Sequence, residues 1–298
     1  MILAIDIGGT SSKFGLLSPG NPEISEYRKL ETQKAVETQG LAGLLETEIR
    51  SYLQRFPNIE GIGMGLPGLL SKDRREILEL PNIPQVNHLP ILDKLEEKFP
   101  GIPFRIENDA KCATLGEFRF GKPEDLDNFL LVTLGTGIGS GVIIDGRLFK
   151  GARGNGLELG HILIGGQKTL EEQIGLPGFL AHAREQIQAQ GAKTALQKDN
   201  LNGKTIFDAA NQQDNLALSL LAYLGKLLGE GLVAAVRLLD VTNILIGGGV
   251  SGAFEFIHPA LKESIESHLP PYYTDSLKIR RASLGNDAGL LGAAGLLA

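Results

Sequence analysis

Two glycine-rich turns carry the first chemical signal: Asp6-Ile7-Gly8-Gly9-Thr10 and Leu134-Gly135-Thr136-Gly137-Ile138-Gly139-Ser140-Gly141. Apolar runs at 2–5 and 14–17 flank the first, and runs at 129–132 and 142–144 flank the second. Glycine admits φ > 0 and close approach, so successive amides in such a turn can form a nest for an anion. One turn alone is what any tight hairpin needs. Two, each with a threonine and the first with Asp6 closing a buried strand, point to a phosphate chain gripped from two sides. Neither ends in the Gly-Lys-Ser/Thr that opens a Walker helix, which argues against a P-loop enzyme.

Carboxylates supply the second signal. The segment 104–107 reads as a strand ending at Asn108-Asp109, where a helix over 110–119 begins. Asn or Asp at that junction is an ordinary helix cap. It is also where the helix dipole keeps a carboxylate ionised and able to accept a proton from an attacking hydroxyl. Phosphoryl transfer asks mainly for positioning and charge neutralisation, so a low-pKa carboxylate can serve as base. Asp109 is the candidate catalyst, and Asp6 the candidate to face a metal bridging nucleotide phosphates. Glu158 and His161, three residues apart between glycines, suit paired hydrogen bonds to sugar hydroxyls, although a lone pair of this kind is more often a surface or local one. A metal reading needs further ligands, and none is spaced convincingly.

Alternating strand-like and helix-like patterns must position these groups, which predicts an α/β architecture. Leu41, Leu44, Leu45, Ile49, Leu53 and Phe56 follow helical spacing up to Pro57-Asn58, and 61–66 reads as a strand closing at Pro67-Gly68. Asp145-Gly146 signals a tight turn into 147–149. Apolar spacing over 216–239 predicts a core helix, followed by a strand at 243–246 that runs into a third glycine cluster, 247–251. Small residues over 287–298 predict a closely packed helix, and polar 189–202 a surface excursion.

The 298 residues suffice for two domains. With 42% hydrophobic and 21% charged residues the composition is that of a globular protein. A net charge of −6 gives no footprint for nucleic acid or anionic membrane. The single cysteine, Cys112, excludes an internal disulfide and a cysteine-based zinc site. A strand almost directly after Met1 leaves no room for a signal peptide, and no apolar run is read as long enough to span a membrane, so a cytoplasmic protein is expected.

Taken together the residues resemble the ROK (repressor, open reading frame, kinase) family of sugar kinases, within the actin-like ATPase superfamily. The likeness runs from Ile2 to Leu297. Its landmarks are 6–10, Leu66-Pro67-Gly68, Pro81-Asn82, Glu107-Asn108-Asp109-Ala110, Leu115-Gly116-Glu117, 134–141, Glu158-Leu159-Gly160-His161, Leu170-Glu171, 247–251 and Asp287-Ala288-Gly289. The resemblance implies duplicated, ribonuclease H-like α/β domains with an interdomain cleft, one of residues 1–107 plus 285–298 and one of 108–284. It implies that Asp6, Gly8, Gly9, Thr10 and Lys13 face the phosphates or magnesium, that Gly135, Thr136 and Gly137 hold the phosphates, and that Gly248 and Gly249 lie by adenosine. Gly68, Asn82, Asn108, Asp109, Glu158, His161 and Glu171 would bind the sugar, with Asp109 as general base.

The implied reaction is transfer of the γ-phosphate of magnesium-ATP to a hexose or amino-hexose, glucose first by family, in a homodimer. Members of the family commonly carry a cysteine-rich zinc loop after the histidine; residues 162–171 hold no cysteine, so no zinc is expected. Polyphosphate-dependent glucokinases lack that loop too, and the helical section 204–240 resembles the ATP-using members. Repressor members carry a helix-turn-helix domain ahead of the first strand, and with the first strand starting at Ile2 a DNA-binding repressor is not expected. A non-catalytic sugar sensor stays open.

Overall fold

The computed structural model describes residues 1–80, 84–122, 125–190 and 194–297. In chain order its elements are β1 (Ile2–Ile7), β2 (Ser11–Leu17), β3 (Ser25–Glu31), α1 (Thr32–Arg55), β4 (Gly61–Leu66), β5 (Leu69–Leu70), β6 (Ile77–Glu79), α2 (Ile91–Lys98), β7 (Phe104–Asn108) and α3 (Asp109–Phe120). There follow β8 (Phe129–Leu134), β9 (Ile138–Ile144), β10 (Arg147–Phe149), α4 (Leu170–Ile174), α5 (Leu176–Gln190), α6 (Gly203–Asn211) and α7 (Asn215–Leu239). The last are β11 (Asn243–Gly247), α8 (Phe254–Glu266), α9 (Pro271–Thr274), β12 (Lys278–Arg281) and α10 (Ala288–Gly295).

Two five-stranded sheets repeat one plan. The first has the order β3-β2-β1-β4-β7, and the second β10-β9-β8-β11-β12. In each, a strand returns through a glycine turn as its neighbour, and a third strand pairs antiparallel outside it. Two later strands then add in parallel on the other side. The chain divides into two compact units. One comprises Met1–Asp127, Gly141–Leu157 and Asn286–Ala298, the other Asn128–Ser140 and Glu158–Gly285.

In the first unit β1 and β4 are covered on both faces, which is why each reads as an unbroken run of apolar and small residues. Leu3, Ile5 and Met64 share a core with Leu41, Leu45, Ile49 and Tyr52 of α1. That helix starts nine residues before the periodic pattern does. Its first turns, largely exposed, bend at Gly40 (φ 72) into the packed stretch, so apolar spacing marks only the second part. Strand β3 escapes a pattern reading for a similar reason: it is an edge strand with nearly every side chain in solvent. All eight residues of α10 are buried, and the helix packs on α3, β1 and β4. Gly292 lies directly on the Cys112 carbonyl and Gly116 on that of Ala288, so a methyl at either would enter backbone. The helix is shorter than the predicted 287–298.

In the second unit α7 packs along α8, and the Asp214 side chain caps it by accepting the Ala217 N–H at 3.0 Å. Contrary to the expectation from sequence, this 25-residue helix is long and apolar enough to cross a membrane. Leu220, Leu224, Leu228 and Leu232 are nevertheless buried in the unit, which makes it a core helix.

Candidate functional site

The first glycine turn joins β1 to β2, whose register places Asp6 opposite Lys13. The carboxylate of Asp6, a buried residue, lies 3.0 Å from Lys13 Nζ, which also donates to the Asn286 carbonyl at 2.6 Å. Asp6 fits there because Gly289 has no side chain: a Cβ would stand 2.9 Å from the carboxylate carbon and both oxygens. Within the turn the Gly8 N–H donates to the Ser11 carbonyl at 3.0 Å. Thr32, fully buried at the start of α1, braces it from outside. Its hydroxyl donates to the Gly8 carbonyl at 2.7 Å and lies 2.9 Å from Ser12 Oγ, while its N–H donates to the Thr10 carbonyl at 3.1 Å.

None of Gly8, Gly135 and Gly137 uses a positive φ. What glycine supplies is room, and at Gly135 the space where a side chain would stand is open.

At the end of β7 the two readings of the Asn-Asp pair separate. Asn108 is the cap: its Oδ1 accepts the N–H groups of Ala110 and Lys111 at 3.1 and 3.2 Å, and its Nδ2 donates to the Gly68 carbonyl at 3.3 Å. Asp109 is then the first residue of α3, half-buried, with Oδ1 accepting the Ala110 N–H at 2.9 Å. Gly68 holds φ 81 against the backbone of Glu79, so it contributes a carbonyl and a turn. Cys112, one turn along α3, is wholly buried. Burial, and then the negative charges of Glu107, Asp6 and Asp109, push its thiol well above the ordinary range. Asn82 lies outside the described residues.

The second glycine turn is braced differently. Glu171, in the first turn of α4, accepts the Ile138 N–H on Oε2 at 2.7 Å. The same oxygen presses on Gly137, where a methyl would overlap it, and sits 3.3 Å from the position a Cβ would take at Gly160. Gly160 thereby brings the short 3₁₀ turn Leu159–His161 against the head of β9, and the Leu159 N–H donates to Ser140 Oγ at 3.2 Å. Glu158 is half-buried and His161 exposed. The Thr136 carbonyl accepts the Leu176 N–H at 3.2 Å. Gly248, at φ 80, lies on the backbone of Leu134, so the third glycine cluster joins the second; Gly249 faces open space.

Sequence reasoning missed Thr32, Arg74 and Lys150, the last two holding the buried Glu107. Their partners are backbone or charges far away in the chain, and no local spacing marks them. Among the described residues no group of three or more His, Cys, Asp or Glu is arranged to hold a metal ion. Magnesium carried by phosphates needs only one or two carboxylates, and a hard oxygen donor such as Asp6 fits that chemistry.

A model of the ROK family matches residues 2–298. A glucokinase from Halalkalibacterium halodurans is 32% identical, over 97% of this chain and 92% of its own length. Among solved structures, a protein from Cytophaga hutchinsonii is 48% identical, with a TM-score of 0.91, covering 100% of this chain and 99% of that one. A ROK family glucokinase from Streptomyces griseus, solved with glucose and AMPPNP, is 29% identical, with a TM-score of 0.83, covering 99% of this chain and 98% of that one. The fold is thus the α/β, two-domain actin-like ATPase fold expected from the sequence.

Proposed function

The chain belongs to the ROK family, and from that premise we propose that it is a sugar kinase that transfers the γ-phosphate of ATP to a hexose, glucose first, with Asp109 as general base. The observation that carries the reading is the division of labour at the end of β7. Asn108 caps the helix, so Asp109 stands in the positive field of its first turn, where the ionised form is favoured. The Asp109 carboxylate accepts the proton of the sugar hydroxyl as its oxygen bonds to the γ-phosphorus and the bond to the β-phosphate oxygen breaks, releasing ADP. Asn108, Glu158, His161, Glu171 and Asn82, with the Gly68 backbone, bind the sugar. Gly8, Gly9, Thr10 and Lys13, with Gly135, Thr136 and Gly137, hold the phosphates, and Gly248 and Gly249 take the nucleoside. Asp6 would hold magnesium carried by the nucleotide, and the ion when bound would supply neutralisation of phosphate charge. The glucose and ATP analogue bound by the Streptomyces griseus relative support this choice of substrates. A cytoplasmic homodimer completes the reading, and sedimentation measures its assembly.

The test is ADP release with magnesium-ATP across hexoses and acetylamino sugars. Turnover with one sugar, reduced about 100-fold or more in Asp109→Asn, is expected of a general base. A variant keeping more than about a tenth of the rate removes that role. Silence with every sugar while one still binds turns the reading to a sensor, or to polyphosphate as donor, which polyphosphate in place of ATP decides.

A further inference from the structure

We propose that Glu107 is a positioning residue for this reaction, setting two backbone segments at once, one directly and one through Arg74; the proposal rests on the sugar-kinase reading. Glu107 closes β7 and is entirely shut from solvent. Its Oε1 accepts the Asn108 N–H at 3.0 Å and lies 2.9 Å from Arg74 Nη2, while its Oε2 lies 2.7 Å from Lys150 Nζ. The Arg74 guanidinium fans out further: Nη1 donates to the Ser71 carbonyl at 2.9 Å and Nη2 to the Gly154 carbonyl at 2.6 Å. Gly154 holds φ 96 with its α-carbon against the guanidinium, where a side chain has no room. Beside it Asn155 pairs with the main chain of Leu70 in both directions, at 2.7 and 3.3 Å. One carboxylate therefore fixes the peptide between Glu107 and Asn108, next to Asp109, and through Arg74 the loop 150–157 that precedes Glu158 in the chain.

Two physical observations separate this cluster from ordinary packing. Burying a carboxylate with a guanidinium is costly, and well-fitted apolar residues often hold the same space as firmly. What the fan of charged hydrogen bonds adds is direction, because each bond constrains an angle as well as a distance. Arg74 also keeps a left-handed backbone, φ 64, unusual for any residue but glycine. Such strain persists where the surroundings over-determine it, and the three oxygens held by the Arg74 guanidinium, Glu107 Oε1 and the Ser71 and Gly154 carbonyls, do so here.

Glu107→Gln keeps an acceptor for the Asn108 N–H and removes the charge; Arg74→Lys keeps the charge and removes the fan. Both are expected to fold, to lower kcat about 10- to 100-fold with the KM for ATP unchanged, and to speed amide exchange in 150–157 about 10-fold or more, as small misplacements of reacting groups do. Lys150→Gln, at a half-exposed partner, is expected to change kcat less than about 5-fold. An active wild type whose two core variants keep both kcat and exchange rates overturns the role alone. So does a fall in kcat that merely follows loss of folded protein on a melting curve. A wild type that turns over no sugar overturns the kinase reading and this role with it.

Discussion

The two glycine turns occupy equivalent places in the two sheets, yet are held in opposite ways. The first is gripped through its carbonyls by a neutral donor, Thr32, on the helix that follows β3. The second is gripped through the Ile138 N–H by the Glu171 carboxylate, which α4 brings in from 33 residues away. A hydroxyl on a carbonyl leaves the charge of a turn untouched, whereas a carboxylate on an amide spends a donor and adds negative charge beside the loop. Two glycine turns at equivalent places therefore conceal two electrostatic environments. The difference lies in residues that the turns themselves do not contain.

The sharpest way to break the comparison is Gly137→Ala. Its methyl must displace the Glu171 carboxylate, and we expect a loss of about 3 kcal/mol in urea unfolding, from overpacking and the lost charged hydrogen bond together. Gly135→Ala, two residues away in open space, should change stability by less than about 0.5 kcal/mol, so that any loss of ATP affinity in it reports on binding alone. Next in size, Thr32→Val leaves the Gly8 carbonyl without its hydroxyl donor and is expected to cost about 1–2 kcal/mol. Glu171→Gln keeps an acceptor for Ile138 and should cost less than Glu171→Ala; equal costs would show that the charge, and not the hydrogen bond, braces the second turn.

The smallest effect concerns the wall behind the first turn. Cys112 should resist a small alkylating reagent in the folded state and react fully in denaturant. Its folded thiol ionises less readily than the unfolded one. Its contribution to stability is therefore intact below the unfolded value of about 8.5 and declines as pH rises past it. Rapid native-state labelling near pH 8 would mean that α3, β4 and α10 open far more than their packing implies.

What was legible in the sequence follows from burial. β1, β4, β8 and β11 are covered on both faces and end in glycine or polar junctions, so run and punctuation coincide. α7 was legible because one long face is apolar. β3 and the first turns of α1 were not, because their side chains face water and carry no period. Of the candidate residues, Asp6, Asn108, Asp109 and the turns could be picked out because chemistry and local punctuation coincide at them. Thr32 could not, since its partner is a carbonyl 24 residues earlier. Nor could Arg74 and Lys150, whose partner Glu107 is distant in sequence from both. For Glu171 the resemblance supplied a sugar-binding role, but nothing in its neighbourhood foretold the bond to Ile138.

The seating of α10 bears on how the protein is made. A ribosome delivers the first sheet early, then the whole stretch Glu158–Gly285, and only afterwards the helix that lies on Cys112 and Gly116. Until then the apolar side of β1, β4 and α3 has no cover. The unit begun first is thus completed last, through contacts of high sequence separation, which fold slowly. The nascent chain passes through an interval in which an unfinished sheet exposes apolar surface, the condition under which folding intermediates are prone to aggregate.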